Sequence, residues 1–383
     1  MPGRFQCRNV SSFSIALSLL ALACSSCGTV RGILTSHPAP TGAAKNIILF
    51  IGDGMGFEQV KASGMYATGA SGTLSFEAFP FSGSIRTLNA EGGVTDSAAS
   101  ATAMATGAKV SNGVISMSLP GSGIPLMTIL EHLKSEGKST GLVTTTFVTH
   151  ATTATFGAHE PSRENYSSIA DDYLNDARPN VLFGGAKYVT QYAAAAAGYT
   201  VVVDRAGLQA LDTEKEPMVS GQFGGDNMPY EIDGLGELPH LSEMTRTALR
   251  ILNNDPDGFF LMVEGGRIDH ACHAHDIEQA IWETIEFSNA VAVAMEWRNS
   301  HSDTLIIVTA DHETGGLHVL ANNGAGNLPT VTWGTTGHTS SPVPVFWWGI
   351  NAELVSGTME NTNIFNIMIN SSAGSAIADP DFH

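Results

Sequence analysis

The sequence predicts a doubly wound α/β fold, a mostly parallel central sheet with helices on both faces. Two observations carry that expectation. Near-continuous apolar runs at Asn46–Ile51, Gly141–Phe147, Phe259–Val263, Thr304–Thr309 and Val343–Trp348 read as strands covered on both faces. Helical patterns lie between them, at Ser97–Thr106, Leu126–Ser135, Ser242–Asn253 and around Asp276–Trp297. Strand–helix alternation of this kind indicates parallel βαβ units. There is no internal repeat. The Ala patch from Tyr192 to Ala197 reads as a helix end stopped by Gly198.

The first residues read as an address rather than as fold. Arg4 and Arg8 form a basic region, and Phe13 to Ala23 is an apolar run of signal-peptide length. No other apolar run approaches the roughly 20 residues that a membrane span needs. The run ends Leu22-Ala23-Cys24, as at a bacterial lipoprotein cleavage site with Cys24 lipidated; ordinary secretory cleavage is the alternative. Either route exports the mature protein, to a periplasmic or lipid-anchored location ahead of free secretion. Residues 1–23 are thus a signal peptide, 24–44 a Ser/Gly/Thr/Pro-rich tether, and 45–383 a single catalytic domain. Cys7 leaves with the signal, Cys24 and Cys27 lie in the tether, and Cys272 stands alone in the body, so no disulfide framework is expected. With 18 Lys+Arg against 37 Asp+Glu, the chain offers no nucleic-acid surface, because a phosphate backbone would be repelled.

Open α/β sheets bind ligands beyond the carboxyl ends of their strands, so the residues just past each apolar run matter. Ile51 leads into Gly52-Asp53-Gly54, and Phe147 shortly into His150 and Thr152. Val263 leads into Glu264-Gly265-Gly266-Arg267-Ile268-Asp269-His270, and Thr309 into Ala310-Asp311-His312-Glu313. Carboxylates and imidazoles converging on one edge repel or desolvate one another unless cations lie between them. Asp269 and His273 are one helical turn apart, Asp311-His312 is another carboxylate–imidazole pair, and His338 is a loop residue before the last strand; Asp with His suits zinc. Any one of these alone reads equally as a surface or capping residue; their shared position at strand ends favours metal. Asp53, Thr152 and Glu264 form an all-oxygen set that suits Mg²⁺, with an N-cap Thr and a structural Glu as the plainer reading.

Ser97 opens an Ala-rich helix, where the N-terminal dipole favours an alkoxide and a bound phosphate. The alternative is that Asp96 or Ser97 only caps that helix. No Gly-x-Ser-x-Gly surrounds Ser97, so metal activation is the expected route to a nucleophile. Arg163 comes after Glu160-Pro161-Ser162 at an expected helix start, and a guanidinium fork there suits two phosphoryl oxygens. Trp333, Tyr66 and Phe57 are candidates for the site mouth, with core packing the plainer role.

Taken together, these residues resemble the alkaline phosphatases, along about residues 45 to 370. The matching segments, in the family's order, are Ile51-Gly52-Asp53-Gly54-Met55-Gly56, Thr95-Asp96-Ser97-Ala98-Ala99-Ser100, Thr149-His150-Ala151-Thr152, Val263 to His270, Thr309-Ala310-Asp311-His312 and Gly337-His338-Thr339. The resemblance implies one zinc on Asp269, His273 and His338, and a second on Asp53, Asp311 and His312 with Ser97 bound to it. It implies a magnesium on Asp53, Thr152 and Glu264, substrate phosphate on Arg163, and hydrolysis of small phosphate monoesters through a phosphoserine. His150 and His270 stand where some members have Asp and Lys, as in animal-type and some cold- or marine-type enzymes, which leaves the third metal's identity open. The stretch from His312 to His338 is short for a crown-like insert, which leaves both monomer and homodimer open. Two rivals remain: a phosphodiesterase of the same superfamily, and a non-catalytic exported lipoprotein that binds phosphate or metal.

Overall fold

The structure is a computed structural model and describes residues 42–352 and 357–374. The signal peptide and most of the tether, Cys24 included, lie outside the described residues. In chain order the elements are β1 (Asn46–Gly52), α1 (Phe57–Thr68), β2 (Phe81–Arg86), α2 (Ser97–Thr106), α3 (Ile129–Ser135), β3 (Ser139–Phe147), α4 (Ala151–Gly157), α5 (Tyr166–Asp172), β4 (Val181–Gly185), α6 (Gln191–Ala196), β5 (Thr200–Val202), α7 (Arg205–Ala210) and β6 (Val219–Gln222). They continue with α8 (Leu241–Leu252), β7 (Phe259–Gly265), α9 (Arg267–His273), α10 (Ile277–Arg298), β8 (Thr304–Thr309), β9 (Glu313–Thr314), β10 (His318–Ala321), β11 (Thr330–Thr332), β12 (His338–Thr339), β13 (Val343–Gly349), β14 (Gly357–Glu360) and α11 (Thr362–Ser372).

One ten-stranded sheet runs β14-β2-β13-β8-β1-β7-β3-β4-β6-β5. Every neighbouring pair is parallel except the two made by β13. Every residue of β1, β3, β7 and β8 is buried, as the continuous apolar runs require. Helices α8 and α10 lie against one face, and α3, α4 and α11 against the other, where α2 packs on α4 and α11. The doubly wound architecture is therefore as expected. The order β8-β1-β7-β3 places side by side the four parallel strands whose ends carry the chemistry.

Four local expectations are corrected. Helix α3 starts at Ile129, not Leu126, because Thr128 and Glu131 form a capping box. Arg163 is not at a helix start: it lies in a loop, where Glu160 bridges Ile115 and Arg163 N donates to Gly113 O (2.7 Å), and α5 opens only at Tyr166. His338 is not in a loop but opens the two-residue strand β12, paired antiparallel with β9. The Ala patch does form the helix α6, with Gly198 beyond it at φ +93. Ala44, expected in the tether, is buried and donates its N–H to Ser371 O (2.7 Å).

On the α10 face, Glu283 Oε1 accepts from Glu231 N and Glu286 Oε1 from Ser242 N, each at 2.8 Å. Burial pushes the Glu283 carboxyl up to about 8, against the hydrogen bond from Glu231 N. The native protein thus holds a proton that the unfolded chain has released. Stability from this group is present at low pH and falls as pH rises from the unfolded value near 4.5 through 8. Glu283→Gln keeps the acceptor and removes the titration, so a series of denaturation midpoints across that window is expected to flatten relative to wild type.

Candidate active site

The site assembles where β8, β1, β7 and β3 end. Asp53 lies just past β1 and is fully buried, and neither of its carboxylate oxygens has a hydrogen-bond partner. Burial, then the charges of Asp311, Asp269 and Glu264, push its carboxyl well above the ordinary range. Asp311 lies just past β8: Oδ1 accepts from Gly54 N (3.1 Å) and His312 N (2.9 Å), while Oδ2 is buried without a partner. Glu264, inside β7, accepts from Thr144 Oγ1 at 2.5 Å on Oε2 and leaves Oε1 unpartnered. Burial pushes Glu264 up to about 7 despite the Thr144 bond, with Asp311 adding to the rise. Thr152, in α4, leaves Oγ1 unpartnered, as His150 does its Nδ1.

The imidazoles are oriented by what their other nitrogen does. Thr314 Oγ1 donates to Asp269 Oδ1 at 2.5 Å, so toward His312 Nδ1, 3.2 Å away, it acts as acceptor. His312 Nε2 is then a lone pair facing Ser97 Oγ at 3.3 Å, Asp311 Oδ2 at 3.2 Å and Asp53 Oδ1 at 3.5 Å. His273 Nδ1 donates to Thr336 O (2.6 Å) and His338 Nδ1 to Thr95 O (2.9 Å). Their Nε2 atoms face one another at 3.1 Å, beside Asp269, so a proton or a metal ion must lie between them. Burial works to raise Asp269, but the His273 bond and the His312 and His338 rings outweigh it and hold the carboxyl below the usual range.

Ser97 is buried and is the first residue of α2. Asp96 supplies the cap: Oδ1 accepts from Ala99 N (2.9 Å), and Oδ2 from Gly113 N (3.0 Å) and Arg163 Nη1 (3.1 Å). The cap role therefore belongs to Asp96, and Ser97 Oγ is left facing His312. Arg163 Nη2 reaches His150 Nε2 at 3.3 Å, so the guanidinium is held between a carboxylate and a ring. Burial, then Arg163, holds His150 well below its ordinary value, so the ring is neutral. His270 is engaged by Arg267 Nη1 at 2.7 Å, and its ring centre lies 5.6 Å from that of His150.

Ligand-type atoms of Asp269, His273 and His338 fall within 4.8 Å of one another, as do those of Asp53, Asp269 and His312, and of Asp53, His150 and Glu264. The second group has Asp269 where the resemblance implied Asp311, although the free Asp311 Oδ2 also lies 3.2 Å from His312 Nε2. The third draws in His150 beside the all-oxygen set. A further group, Glu231, His240 and Glu286, is satisfied by protein hydrogen bonds instead. Thr314, Thr144 and Arg267, which orient Asp269, Glu264 and His270, escaped the sequence reasoning. Of the candidate mouth residues, Phe57 is exposed, while Tyr66 and Trp333 pack beneath the β10–β11 hairpin.

This arrangement defines a buried carboxylate–imidazole centre able to gather several divalent cations around a serine. The chain belongs to the alkaline phosphatase family, whose model matches residues 44–330. It is 40% identical to Alkaline phosphatase 3 of Bacillus subtilis (strain 168), over 73% of this chain and 63% of that protein. It thus spans less than two thirds of the length of that relative. The cold-active alkaline phosphatase from the psychrophile Shewanella sp. superposes with a TM-score of 0.78 at 32% identity, covering 85% of this chain and 99% of that one. A histidine-to-aspartate mutant of the alkaline phosphatase from the Antarctic bacterium TAB5, with Mg bound in the M3 site, gives 0.77 at 29%, covering 87% and 99%.

Gly54 has φ +73, and a Cβ there would lie 2.9 Å from Asp269 Oδ1 and from Thr314 Oγ1. Gly54→Ala is expected to lose about 1–2 kcal/mol from the left-handed backbone alone, and more from displacing Asp269. Urea denaturation of the variant beside wild type measures the loss.

Proposed function

We infer that this chain is an exported, metal-dependent phosphomonoesterase that works through a phosphoserine on Ser97. The observation that carries the reading is the Ser97 hydroxyl, 3.3 Å from a neutral His312 nitrogen, beside buried oxygens of Asp53 and Asp311 that no protein group satisfies. Buried polar atoms rarely go unpaired. A cluster of them made of carboxylate oxygen and imidazole nitrogen fits divalent ions. Asp269, His273 and His338 would hold one zinc, and Asp53, Asp311 and His312 the second, with Ser97 as a further ligand. Asp53, Thr152 and Glu264 would hold magnesium, with His150 at its edge; the Mg in the M3 site of the TAB5 mutant supports a third ion.

Bound there, the cations lower the proton affinity of the serine and neutralise charge on the phosphoryl and leaving oxygens. The protein's own groups do the rest. The α2 N-terminus favours negative charge at Ser97 Oγ. Arg163, held flat by Asp96 and His150, aligns two phosphoryl oxygens for in-line attack. The Oγ–P bond forms as the bond to the alcohol oxygen breaks, and water then cleaves the phosphoserine. Small phosphate monoesters are the substrates and no nucleic acid binds. Cys24 carries a lipid anchor, ordinary cleavage being its rival, and the protein works in the periplasm or on its membrane as a monomer or homodimer.

Ser97→Ala is expected to lower steady-state turnover of p-nitrophenyl phosphate by at least about a thousandfold while metal content stays near that of wild type; retained turnover rules out the nucleophile. Exhaustive chelation is expected to abolish activity, with Zn²⁺ and Mg²⁺ together restoring it. Bis-(p-nitrophenyl) phosphate should be a much poorer substrate, and the reverse preference would make the enzyme a diesterase.

A further inference from the structure

Beside the phosphoryl site lies an aromatic surface that the reaction does not use. Phe147 ends β3, and its ring meets the His150 ring edge-on at 5.3 Å. It also meets Tyr166 at 5.3 Å and Tyr188 at 5.9 Å, both edge-on. Tyr166 and Tyr188 stack, with centroids 4.8 Å apart and planes 18° from parallel. Lys187 Nζ sits 5.1 Å from the Phe147 ring centre and 5.6 Å from that of Tyr188, while pairing with Asp226 at 3.1 Å. Tyr166 is three residues past Arg163, and Phe147 three before His150, which Arg163 touches. The surface is therefore continuous with the side chains that face the phosphate.

Its geometry is held at some cost. Tyr188 has φ +70, a left-handed conformation that a bulky residue seldom adopts. The turn is pinned by Val148 N donating to Gly185 O (3.1 Å) and Ala186 N to Gly224 O (3.3 Å). Yet Tyr188 leaves 42% of its surface exposed, so core burial does not account for the strain. Backbone strain of this kind clusters at active sites and ligand clamps, and Tyr188 carries it on a part-exposed ring that reaches His150 through Phe147. A flat π surface favours a flat ligand ring, and base–aromatic stacking is sequence-tolerant.

We propose that Tyr188, backed by Tyr166 and Phe147, forms a subsite for the alcohol portion of the substrate and selects phosphomonoesters of aryl alcohols and nucleosides over those of alkyl alcohols. The proposal rests on the phosphomonoesterase reading. The cluster adjoins Arg163 through His150, and on this proposal the alcohol portion of a substrate whose phosphoryl group is bound at Ser97 and Arg163 lies on that side. The ring contributes to substrate capture, so its effect falls on kcat/KM.

The test compares kcat/KM for phenyl phosphate and adenosine 5′-monophosphate with that for glycerol phosphate, in the metal-loaded wild type, Tyr188→Phe, Tyr188→Leu and Tyr188→Asn. Asn tolerates the left-handed backbone and guards against a folding defect in the Leu variant. The aryl-to-alkyl ratio is expected to fall about tenfold in Leu and Asn, as the loss of one stacking contact implies, and to stay near wild type in Phe. An equal change for all three substrates, or none, overturns the subsite and leaves the phosphomonoesterase standing. A wild-type enzyme that hydrolyses none of them overturns both.

Discussion

The whole molecule is organised around a repulsion. Asp53, Asp269, Asp311 and Glu264 are buried within reach of one another's charge, and imidazoles, hydroxyls and two backbone amides answer them from within the protein. In water such groups would separate. Here they cannot, because each is fixed at or near the end of a fully buried parallel strand, and β8, β1, β7 and β3 are adjacent in the sheet. Burial of those apolar strands is the large favourable quantity; the acid cluster draws on it. Whatever cation binds the cluster removes a strain already present in the fold, so cation binding and folding stability are one linked equilibrium.

The rest of the site serves orientation. Three rings, His273, His312 and His338, each commit Nδ1 to an oxygen and turn Nε2 inward. Two of those oxygens are carbonyls, of Thr336 and Thr95, so loops remote in sequence fix which nitrogen is a lone pair. Asp96 does comparable work on the substrate side: one carboxylate caps α2, ties down Gly113 and holds Arg163. Ser97 and Arg163, apart in sequence, are thereby set against a common group.

Most of the fold was legible because its central strands are covered on both faces, which leaves continuous apolar runs. The strands β4, β6 and β5, which finish one side of the sheet, are too short to leave such a mark, and the reversed direction of β13 is not written in composition. The candidate residues were legible because carboxylates and imidazoles directly succeed those runs. Thr314 and Thr144 were not: a threonine that orients a carboxylate has no periodicity or spacing of its own, and both reach their partners through tertiary contact. The loop around Arg163 misled for the same reason, since Glu160 pairs with Ile115 across the fold and so withholds the helix that Pro161 and Ser162 suggest. The start of α3 is the opposite case, because Thr128 and Glu131 carry a capping box readable without coordinates.

In the proposed reaction the two halves of a phosphate ester meet different kinds of structure. The phosphoryl half meets strand ends and a helix terminus, which are rigid and were readable from motifs. The alcohol half meets loops, among them the pinned turn that carries Tyr188, while the short β10–β11 hairpin fills the stretch between His312 and His338. That division has a physical origin. Charge stabilisation on the phosphoryl group depends steeply on distance and needs pre-set geometry, whereas an alcohol is held by area and shape, which loops can vary without moving the charges. On the proposed function a chain of net charge −19 would have to admit a dianion, which long-range attraction does not favour; cations held at the strand ends would reverse the field there. On that function, recognition of the phosphate is built into the sheet, and choice among phosphate esters is left to the loops around it.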